Sequence, residues 1–174
     1  MRRLSDPPSG LAEKLKRTLL LYPCDLLFVH RDAEGVELEE RCQEIRDAVS
    51  NVWRSISVDP LPAVAVVPVR MLEAWFLLDE AAIRRAAGNP LGRQPLDLPR
   101  PDHVEQLPDP KQVLFGLLRD ASGLSGRRRR KMRVRECVHR IAELVDDFAR
   151  LRQLPAFVAV EEQVAQVVTD RGWR

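Results

Sequence analysis

Acidic side chains follow two predicted strands of this chain, at points where α/β sheets bind ligands. His30, Asp32 and Glu34 follow the first strand, and Arg70 and Glu73 follow the second. In open parallel sheets, ligands bind beyond the carboxyl ends of the strands. Magnesium prefers oxygen ligands and usually takes one or two carboxylates together with water and phosphate. The sequence therefore predicts a Mg²⁺ or Mn²⁺ site held by Asp32, Glu34 and Glu73.

Structural roles compete with this interpretation for several of these residues. Glu34 precedes a predicted helix, and a helix dipole favours negative charge near its N-terminus. Glu73 stands in the apolar string MLEAWFLLD, where a buried carboxylate needs a partner, and Arg70 is a candidate. His30 is either a metal ligand or general base, or a polar plug at a strand end. Asp32 is the residue for which a functional role is favoured.

A basic segment from Gly126 to Arg135 is the second feature that suggests chemistry. It contains seven cations and no acid, whereas the whole chain has a net charge of only +2. Such a density of cations binds phosphate backbones without reading base sequence, although a solvated loop is the plainer alternative. No aromatic residue is interleaved, so base stacking is not indicated. The predicted nucleic-acid-binding residues are Arg127, Arg128, Arg129, Arg130, Lys131 and Arg133.

Other familiar sites are missing from the sequence. No glycine-rich phosphate loop and no Ser–His–Asp spacing is present, and His103 and His139 stand alone, with His139 on a helix face. The three cysteines match no metal or redox spacing, which favours reduced core thiols in a cytoplasmic protein. No apolar run is long enough for a transmembrane helix, so no membrane partner is expected.

Two buried strands with a helix between them must position the acidic residues. The apolar run from Cys24 to Val29 lacks alternation, which predicts an interior strand buried on both faces. A helix from Val36 to Trp53 and a second strand from Ala63 to Val69 complete a βαβ unit, and Pro68 indicates that it lies near a strand end or a sheet edge. A helix from Leu11 to Tyr22, with Ser9 as its N-cap, precedes this unit.

The second half of the chain is predicted to be mainly helical. The predicted elements are helices over Met71–Leu78 and Glu80–Ala87 with Asp79 as a cap, a long loop over 88–110, a helix from Asp109 or Pro110, a loop over 123–133, and helices over Val134–Phe148 and Ala156–Asp170. The expected fold is therefore α/β, with a mostly parallel sheet flanked by helices and a helical C-terminal half. One domain over 1–174 is expected, made of a flexible arm (1–10), a βαβ core (11–70) and a helical part (71–174).

Three segments of the chain read VHRDAEG, VVPVRMLEAWFLLDEAAIRRAAGNP and LPDPKQVLFGLLRDASG. In this order they resemble domain-of-unknown-function family 4276, a bacterial family similar to the Toprim domains of topoisomerases, primases and OLD-type nucleases. The resemblance runs from about Leu11 to Val168. It implies a Toprim-like fold and a partner ATPase in an anti-phage defence locus.

The resemblance also implies roles for individual residues. His30, Arg31 and Asp32 stand where the Toprim Asp-x-Asp motif is expected, with Glu34 as a substitute carboxylate. Glu73 falls on the Glu-Ala-Trp motif of the family, and Lys111 falls on its downstream lysine, with a phosphate-facing role. The catalytic residues implied are thus Asp32, Glu73, His30 and Lys111.

The resemblance places the first family strand, with its acidic turn, before the start of this chain. Two functions follow as expectations: a metal-dependent nuclease or phosphodiesterase, or a non-catalytic subunit that binds nucleic acid or an ATPase. A plain structural domain is the third possibility. An exposed sheet edge would favour pairing with another chain, so a homo-oligomer is possible.

Overall fold

The computed structural model describes residues 9–56 and 60–173 of the chain. Its helices are α1 (Gly10–Leu21), α2 (Leu38–Ser55), α3 (Glu73–Phe76), α4 (Glu80–Ala86), α5 (Pro101–Val104), α6 (Pro110–Ala121), α7 (Gly126–Arg130), α8 (Val134–Leu144) and α9 (Pro155–Arg171), with a 3₁₀ turn at Leu151–Gln153. Its strands are β1 (Leu27–His30) and β2 (Ala63–Val66). The mixed α/β class predicted from the sequence is therefore confirmed.

The chain divides into two compact units. The sheet unit contains the described residues of Met1–Arg31, Val36–Val67 and Val160–Arg174, and the helical unit contains Asp32–Gly35 and Pro68–Ala159. The division separates His30, in the sheet unit, from Asp32, in the helical unit. The expectation of one domain over the whole chain stays a prediction.

The sheet unit is built on the predicted βαβ arrangement. β1 pairs with β2 in parallel, with Leu27 opposite Ala63 and His30 opposite Val66, and α2 connects the two strands. α1 packs against α2, whose apolar stripe buries Cys42, Ile45 and Val49 at helical spacing. The predicted βαβ unit with parallel strands is therefore confirmed.

Strand β1 is not buried on both faces, and that prediction is wrong. The Phe28 side chain is 55% exposed, whereas Val29 is 4% exposed. Neighbouring residues of a strand point to opposite faces of the sheet, so only the face that carries Val29 is covered. An unbroken apolar run does not by itself distinguish a strand covered on both faces from one covered on a single face.

A side chain from α9 is bonded to the backbone of β2. The Ala65 N–H donates a hydrogen bond to Oε1 of Gln163 at 2.9 Å, and Nε2 of Gln163 donates to the Ala65 carbonyl at 3.3 Å. One amide group thus satisfies the two backbone groups that a further strand would pair with. β2 ends at Val66, so the predicted strand over Ala63–Val69 is three residues too long, and Pro68 lies just beyond the strand end.

Four helices form the core of the helical unit. α3, α4, α6 and α8 pack against one another and bury Leu77, Ile83, Leu114, Leu118 and Ile141 completely or almost completely. Two of these helices have the predicted N-caps. Oδ1 of Asp79 accepts a hydrogen bond from the Ala82 N–H at 2.8 Å, and Oδ1 of Asp109 accepts one from the Gln112 N–H at 2.9 Å.

Several predicted boundaries in this half are wrong. The predicted loop over 88–110 contains α5, and Val104 in that helix is fully buried. The predicted loop over 123–133 contains α7. The helix predicted over Met71–Leu78 is limited to the four residues of α3, and α8 ends at Leu144 instead of Phe148. Short helices such as α5 and α7 have too few apolar residues to show a helical period.

The remaining predictions concern the N-terminal segment, the cysteine thiols and membrane-spanning helices. Ser9 occupies the N-cap position of α1 but its side chain makes no capping bond, and residues 1–8 of the predicted arm lie outside the described residues. All three cysteines are free, but only Cys42 is buried. None of the described helices is both long enough and apolar enough to cross a lipid bilayer.

Candidate functional site

Three helices of the helical unit line an open pocket of about 190 Å³, which we call the Glu73 pocket. Its charged or titratable lining residues come from α3, α6 and α8, and two apolar side chains complete the wall. The lining residues are Glu73, Lys111, Phe115, Arg135, Val138 and His139. Two of the residues predicted to be functional, Glu73 and Lys111, therefore share one cavity.

Glu73 and Lys111 form an ion pair in this pocket. Nζ of Lys111 lies 3.6 Å from Oε1 of Glu73, and the side chains of Lys111 and Glu73 are 49% and 19% exposed, respectively. Glu73 is the first residue of α3, and Lys111 is held in the first turn of α6 behind the Asp109 cap. The ion-pair partner of Glu73 is therefore Lys111. Arg70, the partner suggested from the sequence, is exposed.

Arg135 and His139 bring a second cation and an imidazole to the same pocket. They are four residues apart on α8, which places them one above the other on the same face of the helix. The pocket has one carboxylate against the two cations Lys111 and Arg135, so its net charge is positive. The sequence interpretation took His139 for an ordinary surface residue, and only the packing of α8 against α3 and α6 shows its location.

A larger pocket of about 400 Å³ shares two lining residues, Phe115 and Arg135, with the Glu73 pocket. Its other lining residues are Arg119, Met132, Arg133, Val134 and Glu136. We call it the arginine pocket because three of its seven lining residues are arginines. Since both cavities share Arg135, the guanidinium of this residue is available to an anion that occupies either of them.

The basic segment at α7 adds further exposed cations. Arg129 pairs with Asp120 at 2.7 Å, and Arg133 pairs with Glu136 at 2.9 Å. Within residues 9–56 and 60–173, the other five cations of the segment make no ion pair: Arg127, Arg128, Arg130, Lys131 and Arg135. Five consecutive residues of an α-helix point around its whole circumference, so the cations of α7 face several directions.

The loops after the two strands meet within the helical unit. The Ala33 N–H donates a hydrogen bond to the Pro68 carbonyl at 2.8 Å, and Ala33 is 2% exposed. Asp32 is half-buried beside it, and Glu34 is exposed with a positive φ of 52°, followed by Gly35 at 87°. The left-handed conformation at Glu34 is uncommon for a residue with a side chain, and it turns the chain sharply before α2.

The predicted metal ligands are not gathered into one cluster. In the part of the chain that the structure describes, no three His, Cys, Asp or Glu side chains form a group that could hold a metal ion. Glu34 lies three residues before Glu37, the N-cap residue of α2, so it is not part of the first turn of that helix. His30 is exposed at the end of β1. A Mg²⁺ site that uses one or two of these carboxylates stays a prediction.

Comparisons with known proteins give no independent identification. No protein-family model, no curated protein and no solved structure matches the chain significantly. The geometry of the helical unit is therefore the basis for the functional conclusions that follow.

Proposed function

We propose that the protein binds the phosphate backbone of nucleic acid through the basic surface of its helical unit. This surface consists of the arginine pocket and the exposed cations of α7. The observation that carries the proposal is that five of the seven cations in the segment from Gly126 to Arg135 make no ion pair among the described residues. Exposed cations without acidic partners are free to pair with phosphate groups.

The chemistry of this surface favours contacts with the backbone over contacts with bases. Arginine offers a planar fork of donors that matches a phosphate group. Among the residues that the structure describes, Phe115 is the one aromatic side chain of Phe, Tyr or Trp type in the two pockets, so stacking of successive bases is not supported. Phosphate contacts fix the position of a strand but carry no sequence information. We therefore expect binding with little sequence preference.

Because the whole chain has little net charge, its affinity for nucleic acid must come from a local cluster of cations. A net charge of +2 gives little general attraction to nucleic acid. If the proposal is correct, affinity depends on the cations of α7, and substitution of equally exposed cations elsewhere has little effect.

Fluorescence anisotropy with labelled duplex DNA, measured over a series of salt concentrations, tests the proposal. The triple variant Arg127→Gln, Arg128→Gln, Arg130→Gln should flatten the slope of log K against log[salt] by up to about 2.7, at about 0.9 for each phosphate group that is no longer neutralised. The matched control is Lys14→Gln, Arg54→Gln, Arg93→Gln, which removes three exposed cations from other elements. Binding that is insensitive to salt, or an equal reduction in both triple variants, would refute the proposal.

A second function, metal-dependent cleavage of a bound strand by a Toprim-like domain, has one observation in its favour. The hydrogen bond from Ala33 to Pro68 joins the loop that carries Asp32 to the segment that leads into Glu73. Asp32 and Glu73 are the carboxylates that would hold Mg²⁺, which when bound would activate water and stabilise the leaving oxygen. The involvement of a partner ATPase and of phage defence stays a prediction.

Plasmid nicking in the presence of Mg²⁺ or Mn²⁺ tests this second function. The wild-type protein should cut, and Asp32→Asn, which keeps the size of the side chain but removes its charge, should not. The exposed carboxylate Glu40 provides the control variant Glu40→Gln, which should cut normally. Equal cutting by Asp32→Asn and wild type would exclude Asp32 as a metal ligand.

A further inference from the structure

We propose that the Glu73 pocket binds a phosphate monoester, namely the terminal phosphate of a nucleic-acid strand that lies along the arginine pocket. The inference rests on the proposed binding of nucleic acid and specifies which part of the strand is recognised. It gives Arg135, part of the predicted basic segment, a specific role, and it assigns a role to His139, which the sequence interpretation left without function.

The volume of the Glu73 pocket limits what can enter it. Pockets for drug-sized ligands start at about 300 Å³, and this pocket measures about 190 Å³. It therefore has room for one small group, and the rest of a nucleotide would extend out of its open side. The arginine pocket, at about 400 Å³, is large enough for the adjoining part of a strand.

The donors in the pocket match a phosphate monoester. Lys111 carries three N–H donors and Arg135 carries five, and a neutral imidazole of His139 adds one more. Glu73 is already compensated by Lys111 at 3.6 Å, so Arg135 remains as an uncompensated positive charge. A terminal phosphate carries about −1.5 to −2 charges at neutral pH, whereas an internal diester carries one. A pocket with two cations favours the more highly charged group.

Arg135 lines both pockets and therefore gives a strand a continuous path from one pocket to the other. Arg135 lines both cavities, and Arg119 and Arg133 line only the larger one. A strand whose end lies in the Glu73 pocket can thus continue past Arg135, with its next phosphates near Arg119 and Arg133. Glu73 brings a carboxylate to the smaller pocket, and its negative charge opposes the phosphate to the extent that Lys111 does not neutralise it.

Competition between oligonucleotides that differ only at one end tests the inference. A single-stranded oligonucleotide with a 5′-phosphate, one with a 3′-phosphate and one with both ends hydroxylated are each titrated against the full chain. We expect one phosphorylated end to bind about tenfold more tightly than the hydroxylated strand, as is typical for charge-assisted hydrogen bonds in a partly exposed site. Inorganic phosphate and a mononucleotide serve as competitors, because they supply the same group without the strand.

Two variants locate the preference in the pocket. His139→Asn should reduce the preference for the phosphorylated end and leave the affinity for the hydroxylated strand unchanged. Arg135→Gln, at a residue that lines both pockets, should reduce the preference and also weaken binding of the hydroxylated strand. His139 is exposed, so its replacement should not impair folding. The control His103→Asn removes an exposed histidine outside both pockets and should keep the preference.

The possible results separate this inference from the function on which it rests. If none of the oligonucleotides binds, the proposed function fails. If all three bind equally, nucleic-acid binding stands and the terminal-phosphate site is refuted. If inorganic phosphate or the mononucleotide competes as well as the phosphorylated strand, the pocket binds a free phosphate compound and the strand end is not its ligand.

Discussion

Replacement of Glu73 by glutamine has opposite effects on strand binding if the Glu73 pocket binds a phosphate group and if Glu73 is a metal ligand. In a phosphate-binding pocket, Glu73 repels the ligand and holds Lys111 in an ion pair at 3.6 Å. The variant Glu73→Gln keeps the size of the side chain, removes the negative charge and releases Lys111. We therefore expect a phosphorylated strand to bind more tightly to Glu73→Gln than to the wild-type protein.

The size of the pocket sets the magnitude of this effect. A sphere with the volume of the Glu73 pocket, about 190 Å³, is about 7 Å across. Across that distance a unit charge contributes about 0.6 kcal/mol at the dielectric constant of water and about 2.4 kcal/mol at the value typical near protein surfaces. Because Lys111 is 49% exposed, the lower part of this range applies, and about three- to tenfold tighter binding is expected.

The assay is anisotropy with a 5′- or 3′-phosphorylated oligonucleotide at fixed low salt, repeated at higher salt, where the gain should shrink through screening. Glu40→Gln removes an exposed carboxylate from α2 and serves as the control. Weaker binding by Glu73→Gln would refute the reasoning. If weaker binding occurred together with loss of Mg²⁺-dependent cutting, Glu73 would be a metal ligand instead.

Three further predictions concern stability. Asp109→Ala removes the hydrogen bond from the Gln112 N–H and should lower the free energy of unfolding, measured in urea, by about 1 kcal/mol. Asp109→Asn keeps a capping oxygen and should therefore unfold with nearly the free energy of the wild type. Gln163→Leu removes both bonds to Ala65 and should speed hydrogen exchange at the Ala65 amide, and an unchanged rate would contradict the assigned hydrogen bonds. Burial raises the pKa of Glu105, so its stabilising contribution is present in acid and disappears as pH rises through the folded pKa. Relative to the wild type, Glu105→Gln should therefore gain free energy of unfolding as pH rises from about 4 to 8. Parallel plots of the free energy of unfolding against pH for the two proteins would contradict this.

Features with a local cause were predictable from the sequence. Asp109 followed by Pro110 is a strong helix start, and α6 begins there with the expected capping bond. Asp79 caps α4 in the same way. The spacing of apolar residues in α2 located its buried face, and the order strand, helix, strand predicted the parallel pairing of β1 with β2.

Features that depend on tertiary packing were not predictable in this way. Lys111 and Glu73 are far apart in sequence, and their ion pair arises because α3 packs against α6. Arg135 and His139 have no neighbours in sequence that distinguish them from solvent-facing residues, and α8 alone gives no indication that they line a pocket. The exposure of Phe28 likewise depends on which face of the sheet is covered and not on the composition of β1.

The amide of Gln163 has a consequence for self-association. Edge strands with free backbone groups are templates for cross-chain pairing and for the growth of amyloid-like aggregates. A foreign strand that added to β2 would first have to displace the side chain of Gln163 from Ala65 and break two hydrogen bonds. The Gln163 side chain therefore opposes aggregation at the free edge of β2. This edge is blocked although β2 contains neither a charged residue nor a proline.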